Sequence, residues 1–572
     1  MRRTLTLFVA LLTFGGLAFA QVADDTFVWI KFGNVNTLDP EGVYDTASGA
    51  VAENIYETLL GYVGDSITEL RGLLATDWTI SDDGLTYTFN LREGVQFHSG
   101  NPFTCADVEY SIERILVMHD SQSGVWFQSE ALLGTGSNAN DDESITWAMI
   151  DNSVECLDDF TVQFNLPQID PAFLVKLIYT NASIVDSAWA MANGEWDGTE
   201  ATWREWVGRD PRGGYLHDQM SGTGPYRLVS WDGTDVAAEA FDGYWGEQPA
   251  IRNVLIQVVD EEASRLLALQ NGDADRISVN SWGVVESQVR GLAGVTVHES
   301  DSWAATVVGA IHLNQAVSVE DNEANVGCGD WGCGIPSNFF SDVNVRRAFA
   351  YSFDQQEFIE QLYIGKGNTL TMALPPSFLG YDPSVPIYGY DPEAAEEAFR
   401  AAFDGELWEK GFTITLSYNT GNTTRQTIVE ILKANIEDLN PNFRVNGRGI
   451  QWSDFLTDRN NNLLPVSIVG WAPDYADPDN YMWTFYHSAG YYGRRLNFDD
   501  AEIDRLLQDA RSTTDPAERA SYYSAVAHRA YDLVPTIAYP QQSPFMVTRS
   551  NLQGVYRNPM LSGQFLWADI SK

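Results

Sequence analysis

The stretch Leu464-Pro465-Val466-Ser467-Ile468-Val469-Gly470-Trp471-Ala472-Pro473-Asp474-Tyr475-Ala476-Asp477-Pro478-Asp479-Asn480 decides how the chain is read. Its first seven residues are a short apolar run, the pattern of a buried strand. The rest is rich in Pro and Asp, so the chain turns as it leaves that strand. Helical periodicity surrounds it. A helix is predicted over Arg346 to Tyr363, stopped by Gly365-Lys366-Gly367, and another over Ala394 to Phe403. A strand follows at Phe412 to Leu416, then helices at Arg425 to Leu439, Asp500 to Arg511 and Pro516 to Leu533. Strands alternating with helices imply an α/β lobe with a parallel or mixed sheet, in which loops at strand ends hold ligands. In such a loop an aromatic ring and a carboxylate suit a cationic group, the carboxylate giving charge-assisted hydrogen bonds and the ring a π face. The same residues also fit a plain turn with Trp471 in the core, and spacing alone leaves both readings open.

The N-terminal half reads differently. Phe27 to Ile30 is strand-like, and Val51 to Leu60 is an apolar helix. Between Asp77 and Leu166 strands dominate: Thr86 to Leu91 and Phe160 to Phe164 alternate at period two after Asp-rich turns, with a helix capped by Thr104 over Ala106 to Leu116. A strand-rich lobe and an α/β lobe in one chain suggest a cleft between them.

At 572 residues and 44% hydrophobic, the chain has material for two to four domains. Against 34 Lys and Arg stand 79 Asp and Glu, a net charge of −45, which disfavours nucleic acid and anionic lipid as partners. Arg2-Arg3, the apolar run Leu5 to Leu17 and Ala18-Phe19-Ala20 form a cleavable secretory signal over residues 1–20. An exported, periplasmic or extracytoplasmic protein is therefore expected, and its four cysteines fit that compartment. Cys328 and Cys333 lie in a glycine-rich loop that can close tightly, which leaves Cys105 for Cys156.

Chemistry for catalysis is missing. The seven histidines are scattered, and neither a G-x-S-x-G elbow nor a phosphate-binding G-x-x-x-x-G-K-[ST] loop occurs. Gly327-Cys328-Gly329-Asp330-Trp331-Gly332 matches G-x-G-x-x-G without the strand and helix that motif needs. No enzyme activity, metal or cofactor is expected.

Five blocks carry a resemblance: Leu91 to His98 with Phe103 to Val108, Gly222 to Tyr226, Phe241 to Gly246, Asn344 to Tyr351, and Gly470 to Asn480. In these, and in their order, the chain resembles the extracytoplasmic solute-binding proteins of peptide-type ABC importers, the dipeptide- and oligopeptide-binding family. The resemblance implies a type II periplasmic binding protein-like α/β fold, two hinged lobes plus an inserted domain. It implies a discontinuous domain I (residues 21–55, 222–279 and 543–572), domain II over 56–221 and domain III over 280–542. It further implies a monomer that encloses a peptide and presents it to the transmembrane subunits of an ABC permease. By the same resemblance Asp474 pairs with the ligand's α-ammonium, Trp471, Trp452 and Tyr475 contribute to the pocket, and Tyr44, Thr46 and Ser48 face the ligand. Relatives hold the ligand carboxylate with an arginine, whereas the matching positions here, near Ser417 and at Ile468, are not basic. Arg425, Arg494 and Arg495 are the candidate substitutes. An oligosaccharide-binding member of the same family, stacking sugars on some of the 18 tryptophans, is the alternative.

Overall fold

The computed structural model describes residues 23–67, 69–120, 123–170, 172–300, 303–513 and 515–572. The expected signal, residues 1–20, lies outside the described residues.

Three sheets organise the molecule. The first has seven strands in the order Val295–Glu299, Phe545–Arg549, Arg276–Ile277, Thr26–Lys31, Asn253–Val258, Val236–Ala240 and Tyr226–Trp231. Thr26–Lys31 runs parallel to both of its neighbours, and the remaining pairs are antiparallel. Both chain ends thus meet in one sheet. The strand Val295–Glu299 also belongs there, although it falls within the 280–542 segment expected to form the other lobe.

The second sheet is antiparallel throughout, in the order Ala75–Ile80, Thr86–Leu91, Thr161–Asn165, Val154–Asp158. The helix Cys105–Met118 packs on it, opened by a capping box in which the Thr104 backbone N–H donates to Asp107 Oδ2 at 2.9 Å. A Cys105–Cys156 disulfide staples this helix to the edge strand, with Cα atoms 5.7 Å apart. The whole excursion leaves and re-enters at one seam. Gly224 N–H donates to the Ile55 carbonyl at 3.0 Å. A Cβ at Gly222 would lie 2.2 Å from that same oxygen, so the close approach requires glycine. Buried Arg114 bridges Asp39 and Glu195 across the seam at 2.6 and 2.7 Å.

The third sheet is mixed, ordered Phe443–Ile450, Phe412–Asn419, Val466–Trp471, Val308–Leu313, Thr536–Ala538. Its first three strands are parallel and its last two join antiparallel. Helices Thr423–Leu439, Ala501–Ser512 and Pro516–Leu533 flank it, each opened by an Asn or Asp side chain accepting first-turn N–H groups. Cys328 and Cys333 close the expected loop. Gly327 there has φ of +62° and would place a Cβ 2.3 Å from the Cys333 carbonyl.

Two expected helices are drawn differently. The one read over Arg346 to Tyr363 is two, Val343–Tyr351 and Gln355–Leu362, because Asp354 accepts the Glu357 N–H and starts a new helix. The apolar helix read from Val51 to Leu60 runs instead from Thr46 to Ile55. Asp45 caps its start through the N–H groups of Ala47 and Ser48, and Leu60–Tyr62 forms a strand.

Candidate functional site

Beyond the strand Val466–Trp471 the quoted loop folds around Asn480. The Asn480 Oδ1 accepts from Trp471 Nε1 and from the Asp474 backbone N–H, both at 2.9 Å, while its Nδ2 donates to Asp474 Oδ2 at 2.9 Å. One amide side chain therefore fixes both the indole and the carboxylate. Tyr44 Oη donates to the same carboxylate oxygen at 3.1 Å and accepts from Trp126 Nε1 at 2.9 Å. The Tyr44 ring makes edge contacts with Tyr179, Trp471 and Tyr491. Trp126 and Tyr179 come from the strand-rich excursion, Tyr44 from beside the first sheet, and Trp471 and Asp474 from the third. The site is thus a three-way junction.

Asp474 is 5% exposed. Burial, opposed only by hydrogen bonds from Asn480, Tyr44 and Tyr179, pushes its carboxyl up to about 7. Every partner is a neutral donor. By contrast, nearby Asp479 is also buried, which raises its carboxyl, but it pairs with Arg511 at 2.7 Å, and the charge and hydrogen bond of Arg511 together with the charges of Lys176 and Arg519 outweigh the burial and keep it below the usual carboxylate range. Arg511 continues to Glu130 of the excursion at 3.0 Å and lies over the Trp483 ring.

Next to this junction a cavity of about 410 Å³ opens between the first and third sheets, a size typical of small-ligand sites. Trp471 pairs in register with Val308, whose neighbours Val307 and Gly309 line the cavity. Tyr481 Oη donates to the carbonyl of Thr306, another lining residue, at 2.7 Å. Thr46 and Trp452 also line it, and Trp452 Nε1 donates to Asp45 Oδ1 at 3.2 Å. A second cavity, about 710 Å³, lies against the excursion. Its Glu57 is already satisfied by Thr223, Tyr244 and Trp245.

The other sequence candidates divide. Ser48 is fully buried, donates to Asp45 Oδ2 at 2.8 Å and accepts from Asn36 N–H at 2.9 Å, so it braces a helix start. Tyr475 is buried with its hydroxyl on Asp479 Oδ2 at 3.1 Å and its ring against Phe127. Of the three candidate arginines, Arg425 lines the cavity, with Nη1 on Asn419 Oδ1 at 2.7 Å. Arg495 stacks on Tyr491 instead. Reading the sequence does not find Asn480, Tyr179 or Trp126 as site residues. The last two are brought in by a separate lobe and carry no local motif.

Two lobes enclosing a cavity, with a third meeting them at the neighbouring junction, fit a solute-binding protein. The chain belongs to the bacterial extracellular solute-binding proteins, family 5, whose middle-region model matches residues 69–493. Members of that family bind solutes and are not enzymes. The chain is 25% identical over 566 residues to the probable D,D-dipeptide-binding periplasmic protein DdpA of Escherichia coli K12, covering 97% of this chain and 96% of that one. In structure it is similar to the ABC transporter-associated periplasmic binding protein DppA of Helicobacter pylori in complex with the peptide STSA. There the TM-score is 0.75 and identity 22%, with 96% and 98% of the two chains covered. It is also similar to AgaA of A. tumefaciens R10 in complex with agropinic acid, with a TM-score of 0.73 and 21% identity over 96% of this chain and 98% of that one. The fold is that of these type II binding proteins. Among the described residues no helix is long and apolar enough to cross a membrane.

Proposed function

We propose that this protein is the periplasmic component of an ABC importer, that it captures peptides between its lobes, and that it delivers them to a membrane permease. In this reading it is exported by the signal in residues 1–20 and acts as a monomer. Residues 23–55, 222–300 and 543–572 form domain I, 56–221 the inserted domain II, and 303–542 domain III. The lobe boundary is set after residue 300 because Val295–Glu299 is a strand of the first sheet.

The observation that carries the reading is Asp474: a buried carboxylate at the junction of the lobes, oriented by Asn480 and held by neutral donors only. A carboxylate in that position is stabilised by a cation, and a peptide's ammonium supplies both the charge and three donors. On loading, the ammonium takes the place of the Tyr44 hydroxyl at Oδ2, and the phenol moves as the lobes adjust about their hinge. The rest of the peptide extends into the adjoining cavity, whose lining includes Ser278 to Asn280 and Ala305 to Val307. Relatives named for dipeptides and for the peptide STSA support this choice of ligand.

Native mass spectrometry of the purified mature protein tests it. The expected result is a ladder of small masses that fragment as peptides and are absent from Asp474→Ala. Hexose-spaced adducts, or a protein that stays bare when peptides are added, would overturn the peptide reading.

A further inference from the structure

A protein with 79 acidic and 34 basic residues should, by chance, surround any cavity with carboxylates. This one does the reverse. Among the described residues lining the 410 Å³ cavity there is no Asp or Glu, and there are four cations: Lys31, Arg276, Arg425 and Arg557. They come from four distant segments, so no local sequence run accounts for the grouping.

Among the described residues none of the four is paired with a carboxylate. Lys31 Nζ sits 5.2 Å from the centroid of the Trp29 ring. Arg276 donates to the Gly563 carbonyl at 2.6 Å and to Gln564 Oε1 at 2.9 Å, with its guanidinium over Trp29. Arg425 donates to Asn419 and faces the Trp452 ring, and Arg557 donates to the Ala304 carbonyl and faces the Trp303 ring. Among the described residues the Nε–H groups of both Arg425 and Arg557 are buried without a hydrogen-bond partner. The nearest acids are otherwise engaged: Glu53 accepts from Ser562 and Gly563 N–H, and Asp45 caps its helix. Burial lowers Lys31 to about 8, with Asp45 opposing the fall and Arg276 adding to it. It lowers Arg276 to about 9, and there Glu53 opposes the fall and Arg557 adds to it. Lys31, Arg276 and Arg557 therefore sit close enough to repel in sequence, Lys31 against Arg276 and Arg276 against Arg557, and burying like charges costs stability that an anion would return.

We propose that the cavity selects peptides carrying several negative charges, an α-carboxylate together with acidic side chains, through Lys31, Arg276, Arg425 and Arg557. The proposal rests on the peptide reading above and names its substrate class. Two or more carboxylates distribute over four cations whose free N–H groups point to bidentate acceptance. The ammonium of such a peptide lies at Asp474, so the ligand is read as positive at one end and negative along the rest. A single arginine anchor is replaced by a distributed one, and this is why the positions near Ser417 and at Ile468 are free to be neutral.

The test uses mature protein freed of co-purified ligand and titrated calorimetrically with trialanine, alanyl-glutamyl-glutamate, alanyl-lysyl-lysine and the amine-free propane-1,2,3-tricarboxylate. The acidic tripeptide is expected to bind at least about tenfold tighter than trialanine, a difference of ~1.4 kcal/mol. The lysyl peptide is expected to bind weakest. Arg276→Gln and Arg425→Gln, each checked for a native circular dichroism spectrum, should each shrink the acidic preference. Equal binding of all three peptides would overturn the proposal and leave the peptide reading standing. Binding of the tricarboxylate with no binding of any peptide would overturn the peptide reading and the proposal with it, leaving a cavity for non-peptide polyanions. Failure of all four probes would overturn both.

Discussion

If a ligand ammonium pairs with Asp474, peptide affinity must follow the product of two ionisations: the carboxyl must have lost its proton and the amine must have kept its own. The carboxyl stands at about 7 because burial outweighs its three neutral hydrogen bonds. A peptide amine titrates at about 7.8. Taking those two values, the product peaks near pH 7.4 at about one half and falls to about 0.01 at pH 5 and about 0.06 at pH 9. Affinity should therefore be bell-shaped, about 50-fold weaker at pH 5 and about ninefold weaker at pH 9 than at the optimum. Calorimetric titration of one peptide across this range provides the curve. Repeating it in buffers of different ionisation enthalpy near pH 7 should reveal proton release, since binding draws Asp474 into its charged form. Asp474→Asn keeps a neutral hydrogen-bonding group in place and should remove the acid limb, at a cost of about 2–5 kcal/mol in binding at the optimum. Glu53 and Glu57 also titrate at about 7 but remain in that variant, so they serve as an internal control. Affinity that does not change between pH 5 and 7.4, or an acid limb that persists in Asp474→Asn, would refute the reasoning.

Other outcomes follow from the same structure. Tyr44→Phe removes a hydrogen bond that lowers the Asp474 carboxyl, so the acid limb of the affinity profile should move to higher pH. Glu130→Gln breaks one arm of the bridge from domain II through Arg511 to Asp479, and the peptide off-rate measured by stopped flow should rise by up to about fivefold, ~1 kcal/mol for a partly exposed pair. Glu113 is held at about 8 by burial, with Glu109 and Asp151 adding to the shift. Its native form keeps a proton that the unfolded chain has released, so its contribution to stability falls as pH rises from about 4.5 to 8, by roughly 1.4 kcal/mol per unit. In urea unfolding, Glu113→Gln should lack that slope. Removing the Cys105–Cys156 bridge, which spans 51 residues of sequence, should cost about 4 kcal/mol in the chain-entropy account, against about 2 for Cys328–Cys333 with its separation of 5.

Two strands of the third sheet and the helices beside it could be read from the chain because their signals are local. Pro516 to Leu533 is bounded by a Pro at its first turn, and Val466 to Trp471 is a run that is apolar but for Ser467. The helix at Val343 was read too long because a single capping aspartate, Asp354, restarts it without any break in periodicity. At the site, Trp471 and Asp474 stood out as a ring and a carboxylate leaving a strand, yet the residue that orients both is Asn480, which in sequence looks like any turn asparagine. Ser48 lies in the right helix but points into its cap. The cations were the least legible part. Lys31 ends the strand Thr26–Lys31, Arg276 opens a two-residue strand and Arg557 lies in a loop, so of the four only Arg425 is a candidate from the sequence. Only the folded arrangement brings them to one cavity.

The strand order of the first sheet also governs when this molecule can be completed. Thr26–Lys31, made first, waits for Asn253–Val258 and Arg276–Ile277 as its neighbours, and Phe545–Arg549 must then slot between Arg276–Ile277 and Val295–Glu299. The excursion returning at Gly224, by contrast, contains all the strands of its own sheet and can close while the rest is still being made. Such long-range pairing slows folding, since loop closure precedes its reward. A chain built this way keeps its outermost sheet open until the last residues emerge. Under the export proposed above, that delay suits a polypeptide threaded across a membrane before it becomes compact, and the ligand cavity exists only once the strand Phe545–Arg549 is in place.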